Sequence, residues 1–351
     1  MALNEAIHRI PALDAACLQR AQARLNRLTK PVASLGRLEE LAARFVAMTG
    51  EEQPKLPRAI IFTFAGDHGV AAEGVSAYPS AVTAQMVLNF IQGGAAVNVL
   101  ARHVGAEVRV VDIGVAAEFG DVPHLIRRKI ALGTRNMLIE PAMSRGQAED
   151  ALAVGIDLAT RAVQEGCSLV GTGEMGIGNT TPSAAIASVM TGVAVERVTG
   201  RGTGIDDASF RRKVMVIEQA LALHRPNAQD PIDVLHKVGG FEIAALAGLI
   251  LGAAAHRIPV VLDGFIAGAA GLIAAGLQPR CVDYVIASHR SVERGHQAVL
   301  DRLKLNPLFD LDLRLGEGTG ACLAIGLIQA AIKILTEMAT FDEAGVSERS
   351  R

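Results

Sequence analysis

Two carboxylates set among glycines are the residues of this chain best suited to do chemistry. The first is Glu174, in Leu169-Val170-Gly171-Thr172-Gly173-Glu174-Met175-Gly176-Ile177-Gly178-Asn179-Thr180-Thr181-Pro182, where four glycines fall within eight residues. An apolar segment, Cys167 to Val170, leads in, and an alanine-rich run from Ser183 to Met190 leads out. This pattern predicts strand, loop, helix, with Pro182 at the first helical position and Thr181 as its cap. Glycines let backbone N–H groups converge, and a helix N-terminus adds partial positive charge, which together make a seat for phosphate or carboxylate. Glu174 would sit beside whatever carries that anion. The second carboxylate is Glu317, in Leu315-Gly316-Glu317-Gly318-Thr319-Gly320, just before a strongly apolar helix. In a desolvated cleft its pKa would rise toward the range useful to a general base. Capping the helix that follows is its alternative role.

The familiar owners of such loops do not fit. Gly171-x-Gly173-x-x-Gly176 matches the dinucleotide pattern, but there the helix begins inside the glycines, and here it is expected only at Pro182. A dehydrogenase also needs an acid about 20 residues on, ending a second strand. Glu196 has that spacing, but Val193–Val195 is too short a run. No Gly-Lys-Ser/Thr of a Walker loop is present. A second glycine-rich turn, Gly200 to Asp207, opens a helix; Asp206-Asp207 reads as its cap, and Lys213, two turns along, could reach an anion. His68, His289 and His296 lack metal-ligand spacing and read as structural, so no metal site is expected.

These residues must be positioned by a sheet. Residues 12–49 have helical periodicity with a break at Lys30-Pro31, and Gly50, Pro54 and Pro57 form a boundary. Apolar runs then follow at Ala59–Ala65, Val108–Ile113, Cys167–Val170, Pro259–Leu262, Val282–Ala287 and Leu311–Leu315. Helices are expected between them, among them Ala81 to His103, Ala148 to Glu165 and Thr319 to Ala339. Residues 115–147 read as polar and irregular. Six strand-like runs alternating with helices predict an α/β fold, a parallel sheet covered on both faces. The strand ends carry Asp67/His68, Asp112, Glu174, Asp263, His289/Arg290 and Glu317, on the edge where open α/β sheets bind ligands. The expected division is a helical segment at residues 1–50, joined by part of the C-terminal helix, and a large α/β domain at 58–335.

Composition excludes several classes. The chain has 351 residues, half of them hydrophobic but only 3% aromatic, with no Trp, so the core must be aliphatic and closely packed. A net charge of −2 gives no electrostatic reason to bind nucleic acid or an anionic membrane. Four dispersed cysteines with no Cys-x-x-Cys, and no secretory leader, predict a reduced cytoplasmic protein. The most apolar stretches, Ile243–Ala255 and Gly264–Leu277, fall short of the roughly 20 residues of a membrane span and are expected as buried helices.

Longer ordered motifs run through the whole chain: Lys30-Pro31-x-x-Ser34-Leu35-Gly36-x-Leu38-Glu39, Gly66-Asp67-His68-Gly69-Val70, Ser76-x-Tyr78-Pro79, Gly173 to Thr181, Gly202-Thr203-Gly204, Asp263-Gly264-Phe265, Ser288-His289-Arg290-Ser291 and Arg314 to Gly320. With these the chain resembles the nicotinate-nucleotide–dimethylbenzimidazole phosphoribosyltransferases. The resemblance implies a Rossmann-like six-stranded domain, a small helical domain from both chain ends, a homodimer, and no cofactor. It implies nicotinate mononucleotide and 5,6-dimethylbenzimidazole as substrates, with α-ribazole phosphate and nicotinate as products. It places the catalytic base at Glu317; Glu174, near the phosphate loop, is read as a second catalytic residue that could orient ribose hydroxyls or favour developing oxocarbenium charge. Phosphate and nucleotide binding fall to Gly176, Ile177, Gly178, Asn179, Thr180, Gly202, Lys213, Asp263 and Ser291. The benzimidazole pocket falls to Ser80, Met86, Leu88, Met175 and Leu315. A non-catalytic nucleotide sensor of the same fold is the rival class, and Glu317 between glycines argues against it, since a sensor needs no base.

Overall fold

The computed structural model describes residues 1–347 of the chain. Among them six parallel strands form one sheet: β1 (Ala59–Gly66), β2 (Glu107–Gly114), β3 (Ile126–Arg127), β4 (Leu169–Met175), β5 (Val260–Leu262) and β6 (Val285–Ala287). β1 and β4 are buried along nearly their whole length, which is why β1 and the start of β4 read as apolar runs rather than alternating ones. The order is β3-β2-β1-β4-β5-β6. The chain winds outward from β1 in one direction and from β4 in the other, so the β1–β4 junction is the switch point of a doubly wound sheet.

Helices cover both faces. Phe241–Ala255 and Phe265–Leu277 pack on β4 and β5, with Arg145–Gln164 outside the first of them. That outer pair is in near contact: a Cβ on Gly248 would strike the backbone of Leu152, so small residues set the spacing in this aromatic-poor core. Thr319–Glu337 lies against β1, β4 and β5 on the other face, backed by Ala96–Val104 and Arg37–Thr49. The chain ends meet there. Leu28 pairs with Thr340, Arg24 Nε donates to the Leu335 carbonyl at 2.8 Å, and Arg27 is ion-paired to Asp342.

Several expected elements change. The run Leu311–Leu315 is irregular and not a strand; Leu311 is exposed, and Asp312 has φ 54°, a left-handed residue that breaks an extended run. The sixth strand is instead the two-residue β3, within the segment expected to be irregular. The helix expected from Ala81 to His103 is two, Ala81–Gln92 and Ala96–Val104, because Gly93 at φ 77° ends the first. β4 runs on through Gly171 to Met175, past the point where apolar side chains stop. Residues Pro279–Tyr284 form a 3-10 turn, which shortens β6. Of the predicted buried helices, Phe241–Ala255 is buried at every position, and Phe265–Leu277 is buried as far as Ala274, its last turn reaching the surface. Thr319–Glu337, at 19 residues, is by length and composition apolar enough to span a membrane, but its inner face is packed on the sheet.

Candidate active site

A cavity of ≈ 520 Å³ opens at the carboxyl edge of the sheet, beside the switch point, and both Glu174 and Glu317 line it. Its floor is the loop after β4. The helix there begins at Thr180 rather than Pro182. The chain enters it through a tight turn in which Asn179 N–H donates to Gly176 O at 3.1 Å and Thr181 N–H to Gly178 O at 2.9 Å. The expected Thr181 cap is not made; its hydroxyl is buried without a partner among the described residues. Pro182 is tolerated inside the first turn because those amides have no intrahelical acceptor. Ile177 N–H is held by Thr83 Oγ1 at 3.1 Å, which pins the loop to the Ala81–Gln92 helix.

Glu317 sits on a connection, not on a strand. Three successive residues, Gly316, Glu317 and Gly318, have φ of 80°, 64° and 100°. For Glu317 this left-handed backbone costs about 1–2 kcal/mol, held by its surroundings: its carbonyl accepts from Thr63 Oγ1 at 3.2 Å and its N–H approaches Glu174 Oε1 at 3.4 Å. Gly173 is required beneath it, since a Cβ there would collide with the Glu317 carbonyl. Glu317 Oε2 has no hydrogen-bond partner among the described residues. Burial, with Asp263 nearby, pushes this carboxyl up to about 7. Helix capping, its alternative role, is taken by another residue. Asp263 accepts from Gly318 N–H at 3.1 Å and Ala321 N–H at 3.0 Å.

Glu174 accepts from Asn179 Nδ2, and burial together with Asp263 and Glu242 raises it to about 8. At neutral pH it therefore holds a proton. Both central carboxyls are raised by burial and by Asp263, and Glu174 also faces Glu242 and Glu317.

Lys213 is fully buried behind the loop, with Nζ donating to Thr180 Oγ1 at 2.6 Å and to Gly200 O at 3.4 Å. Burial lowers it to about 8, and Glu293 opposes that shift. Asp206 caps the Asp207–His224 helix through Ser209 N–H, as expected, and Asp207 pairs with Arg201.

Of the residues expected to bind nucleotide, Gly176, Ile177, Gly178, Asn179, Thr180, Gly202 and Ser291 all line the cavity. Asp263 does not; both its oxygens hold the start of the Thr319–Glu337 helix. Lys213 reaches the cavity only through Thr180. Of the benzimidazole set, Met86, Met175 and Leu315 line it, whereas Ser80 and Leu88 lie outside its wall, Leu88 at 39% exposure. Two strand-end acids serve loops instead: Asp67 accepts from Ala116 N–H at 2.8 Å, and Asp112 pairs with Lys129 at 3.2 Å.

Sequence reasoning passed over Glu293, which lines the cavity and accepts from Gly202 N–H at 2.9 Å. Its only signal was its place two residues beyond Ser291. His289 also lines the cavity. His68 and His296 are structural: His68 Nε2 meets Glu242 Oε1 at 2.9 Å, and His296 Nδ1 accepts from Ser291 N–H at 2.9 Å.

A doubly wound sheet with a glycine-rich loop and two buried carboxyls lining one cavity at its switch point is the architecture of an α/β enzyme with its site at the carboxyl edge of the sheet. A phosphoribosyltransferase family model matches residues 10–346. Proteins named nicotinate-nucleotide–dimethylbenzimidazole phosphoribosyltransferase from Geobacter sulfurreducens and Chloroflexus aggregans are 61% and 60% identical to it over 346 and 347 residues, 99% of this chain and 98% of each relative. The crystal structure of the protein of that name from Thermus thermophilus superposes with a TM-score of 0.90 at 46% identity, covering 96% of this chain and 100% of that one. The chain belongs to the nicotinate-nucleotide–dimethylbenzimidazole phosphoribosyltransferase family.

Proposed function

We propose that the protein transfers the 5-phosphoribosyl group of nicotinate mononucleotide to 5,6-dimethylbenzimidazole or a related azole. The products are α-ribazole 5′-phosphate and nicotinate, for the nucleotide loop of cobalamin. The observation that carries this reading is Glu317: a buried carboxylate with a free oxygen, tuned to about 7, sharing one cavity with the glycine-rich anion loop.

In this reading the Gly176–Thr180 loop, Gly202 and Ser291 hold the 5′-phosphate, and Lys213 supplies charge through Thr180. The azole lies toward Met86, Met175 and Leu315. Its unprotonated nitrogen attacks C1′ of the ribose as the C1′–pyridinium bond breaks and that electron pair returns to the nicotinate ring. Positive charge moves onto the azole, whose remaining N–H acidifies. Glu317 takes that proton and stabilises the charge as it develops. Glu174, protonated at neutral pH, donates to a ribose hydroxyl. Because the leaving group is already cationic, departure needs no Lewis acid.

The same reading makes the protein a cytoplasmic homodimer, with a helical subdomain from residues 1–50 and the last helix beside an α/β domain at 58–335. Four cysteines buried as free thiols suit a reducing compartment. Incubating the purified protein with nicotinate mononucleotide and 5,6-dimethylbenzimidazole should release nicotinate and a ribazole phosphate, detected together by mass spectrometry. Absence of both would reject the proposal.

A further inference from the structure

His289 is 99% buried, yet it lines the active-site cavity and the proposed chemistry leaves it unused. Its tautomer follows from its neighbours. Ser288 Oγ lies 3.1 Å from the Asp263 carbonyl oxygen and 2.9 Å from His289 Nδ1. A carbonyl can only accept, so the single serine proton goes to Asp263 O. Toward the imidazole Ser288 Oγ must accept, which puts the ring proton on Nδ1. Burial lowers the imidazole's pKa, against the pull of Asp263 and Asp310, and keeps the ring neutral. Nε2 is left as a bare acceptor with no partner among the described residues. Its direction is set by two neighbours. The ring stacks on Phe309 at 5.9 Å and 16°. A Cβ built on Gly264, itself a cavity residue, would lie 3.6 Å from both Cε1 and Nε2, so this edge faces the wall that Gly264 leaves open. An acceptor that no protein group satisfies and that borders a ligand cavity is placed to take a donor from the ligand.

Resting on the proposed function, we infer that His289 Nε2 accepts a hydrogen bond from a ribose hydroxyl of the nucleotide, and that Ser288 is the positioning residue that fixes the required tautomer. The placement suits a sugar. His289 is two residues from Ser291 at the phosphate end of the cavity, and Asp263, beside its ring, holds the turn that carries Glu317. The pyridine ring of nicotinate offers no donor and the azole's one N–H is assigned to Glu317, which leaves the ribose hydroxyls as the donors for this contact.

The test compares nicotinate mononucleotide with its 2′-deoxy and 3′-deoxy forms in the wild type, His289→Phe, His289→Gln and Ser288→Ala. A neutral hydrogen bond corresponds to about a 10-fold change. Wild type should lose that factor in kcat/KM with one deoxy form. His289→Phe keeps the ring stack, should lose the same factor with the intact substrate, and should no longer distinguish the two. The KM for the azole should stay unchanged. His289→Gln returns an acceptor near the Nε2 position and should restore part of the discrimination. Ser288→Ala leaves the ring in place but frees its tautomer, so nitrogen NMR of His289 should shift and discrimination should fall; this arm stands if the Phe variant does not fold. Undiminished discrimination in His289→Phe or Ser288→Ala, or a wild type indifferent to both deoxy forms, overturns the role of His289 while leaving the transfer reaction standing. A wild type that releases no nicotinate from intact substrate overturns the underlying reading instead.

Discussion

Glu317→Gln keeps the side chain's size and its left-handed backbone but removes the proton acceptor. With the wild-type carboxyl at about 7, roughly half the molecules carry the base at pH 7 and roughly a tenth at pH 6. Loss of a positioned general base slows the chemical step by roughly 10²–10⁴-fold. The variant's kcat/KM should therefore be low and should lose the acid limb centred near pH 7, while its nucleotide affinity stays close to native. A second readout is stability. A carboxyl raised from 4.5 to about 7 holds its proton more tightly folded than unfolded. Its contribution is intact below the unfolded value and is lost as pH rises through the folded one. Each unit is worth about 1.36 kcal/mol, so the ionised wild type is destabilised above pH 7 by up to about 3 kcal/mol. Glutamine cannot ionise; burying its amide offsets part of the gain, leaving the variant about 1–3 kcal/mol more stable than wild type at pH 8. At pH 4.5 that advantage should disappear. Urea titrations at both pH values, with steady-state kinetics from pH 5.5 to 9, test the argument. Near-native turnover at pH 7, or no gain in stability at pH 8, would refute it.

Lys213→Met preserves the buried stem and removes the ammonium; the KM for nicotinate mononucleotide should rise by the factor corresponding to about 1.5–3 kcal/mol, the KM for the azole should not, and an equal rise in both would place the lysine elsewhere. Since burial holds Lys213 at about 8, wild-type nucleotide affinity should weaken above pH 8 and the Met variant should lack that trend. Glu174, also at about 8, should produce a decline in kcat over the same range; Glu174→Gln mimics the protonated acid, so it should keep activity at pH 7 and flatten that decline, whereas an inactive variant at pH 7 would mean the carboxylate is needed. The product should be the α-anomer, because an azole held at Glu317 meets C1′ from the face opposite the departing nicotinate, and in-line positioning accelerates displacement. The anomeric proton signal decides this, and a β-linked product would mean retention through a covalent intermediate.

The central architecture was legible because buried parallel strands such as Ala59–Gly66 announce themselves as continuous apolar runs. The pair Glu174 and Glu317 was legible because each stands between glycines that clear space around it. Other features were hidden for physical reasons. β4 continues through Gly171-Thr172-Gly173, where the missing side chains let Glu317 and Ala321 approach, so hydropathy ends before the strand does. The two residues of β3 are too few to show a period. Leu311–Leu315 has strand-like composition, but a left-handed Asp312 decides its conformation. Asp263 looked like a ligand-binding acid because strand-end carboxylates commonly are, yet its partners are amides 55 and 58 residues further along the chain. Glu293 and His289 belong to the cavity through contacts with Gly202 and Ser288, and single-residue chemistry carries no trace of such pairings.

The irregular course of Leu311–Leu315 has an evolutionary consequence. Leu315 hangs at the cavity rim on a loop outside the sheet, 56% exposed, and Met86 faces it from a helix flank. Exchanging Leu315 for a larger, smaller or more polar side chain disturbs no strand and little buried packing, whereas Met86, partly packed on the core, tolerates chiefly apolar replacements. At the opposite end, a methyl on Gly173 strikes the Glu317 backbone, and one on Gly176 strikes the backbone of Gly66. Mutation is thus filtered unequally across a single cavity. Under the proposed function, a lineage could retune the azole end by substitution at Leu315 with little penalty to folding, while the glycine-lined end proposed to hold the sugar phosphate stays fixed.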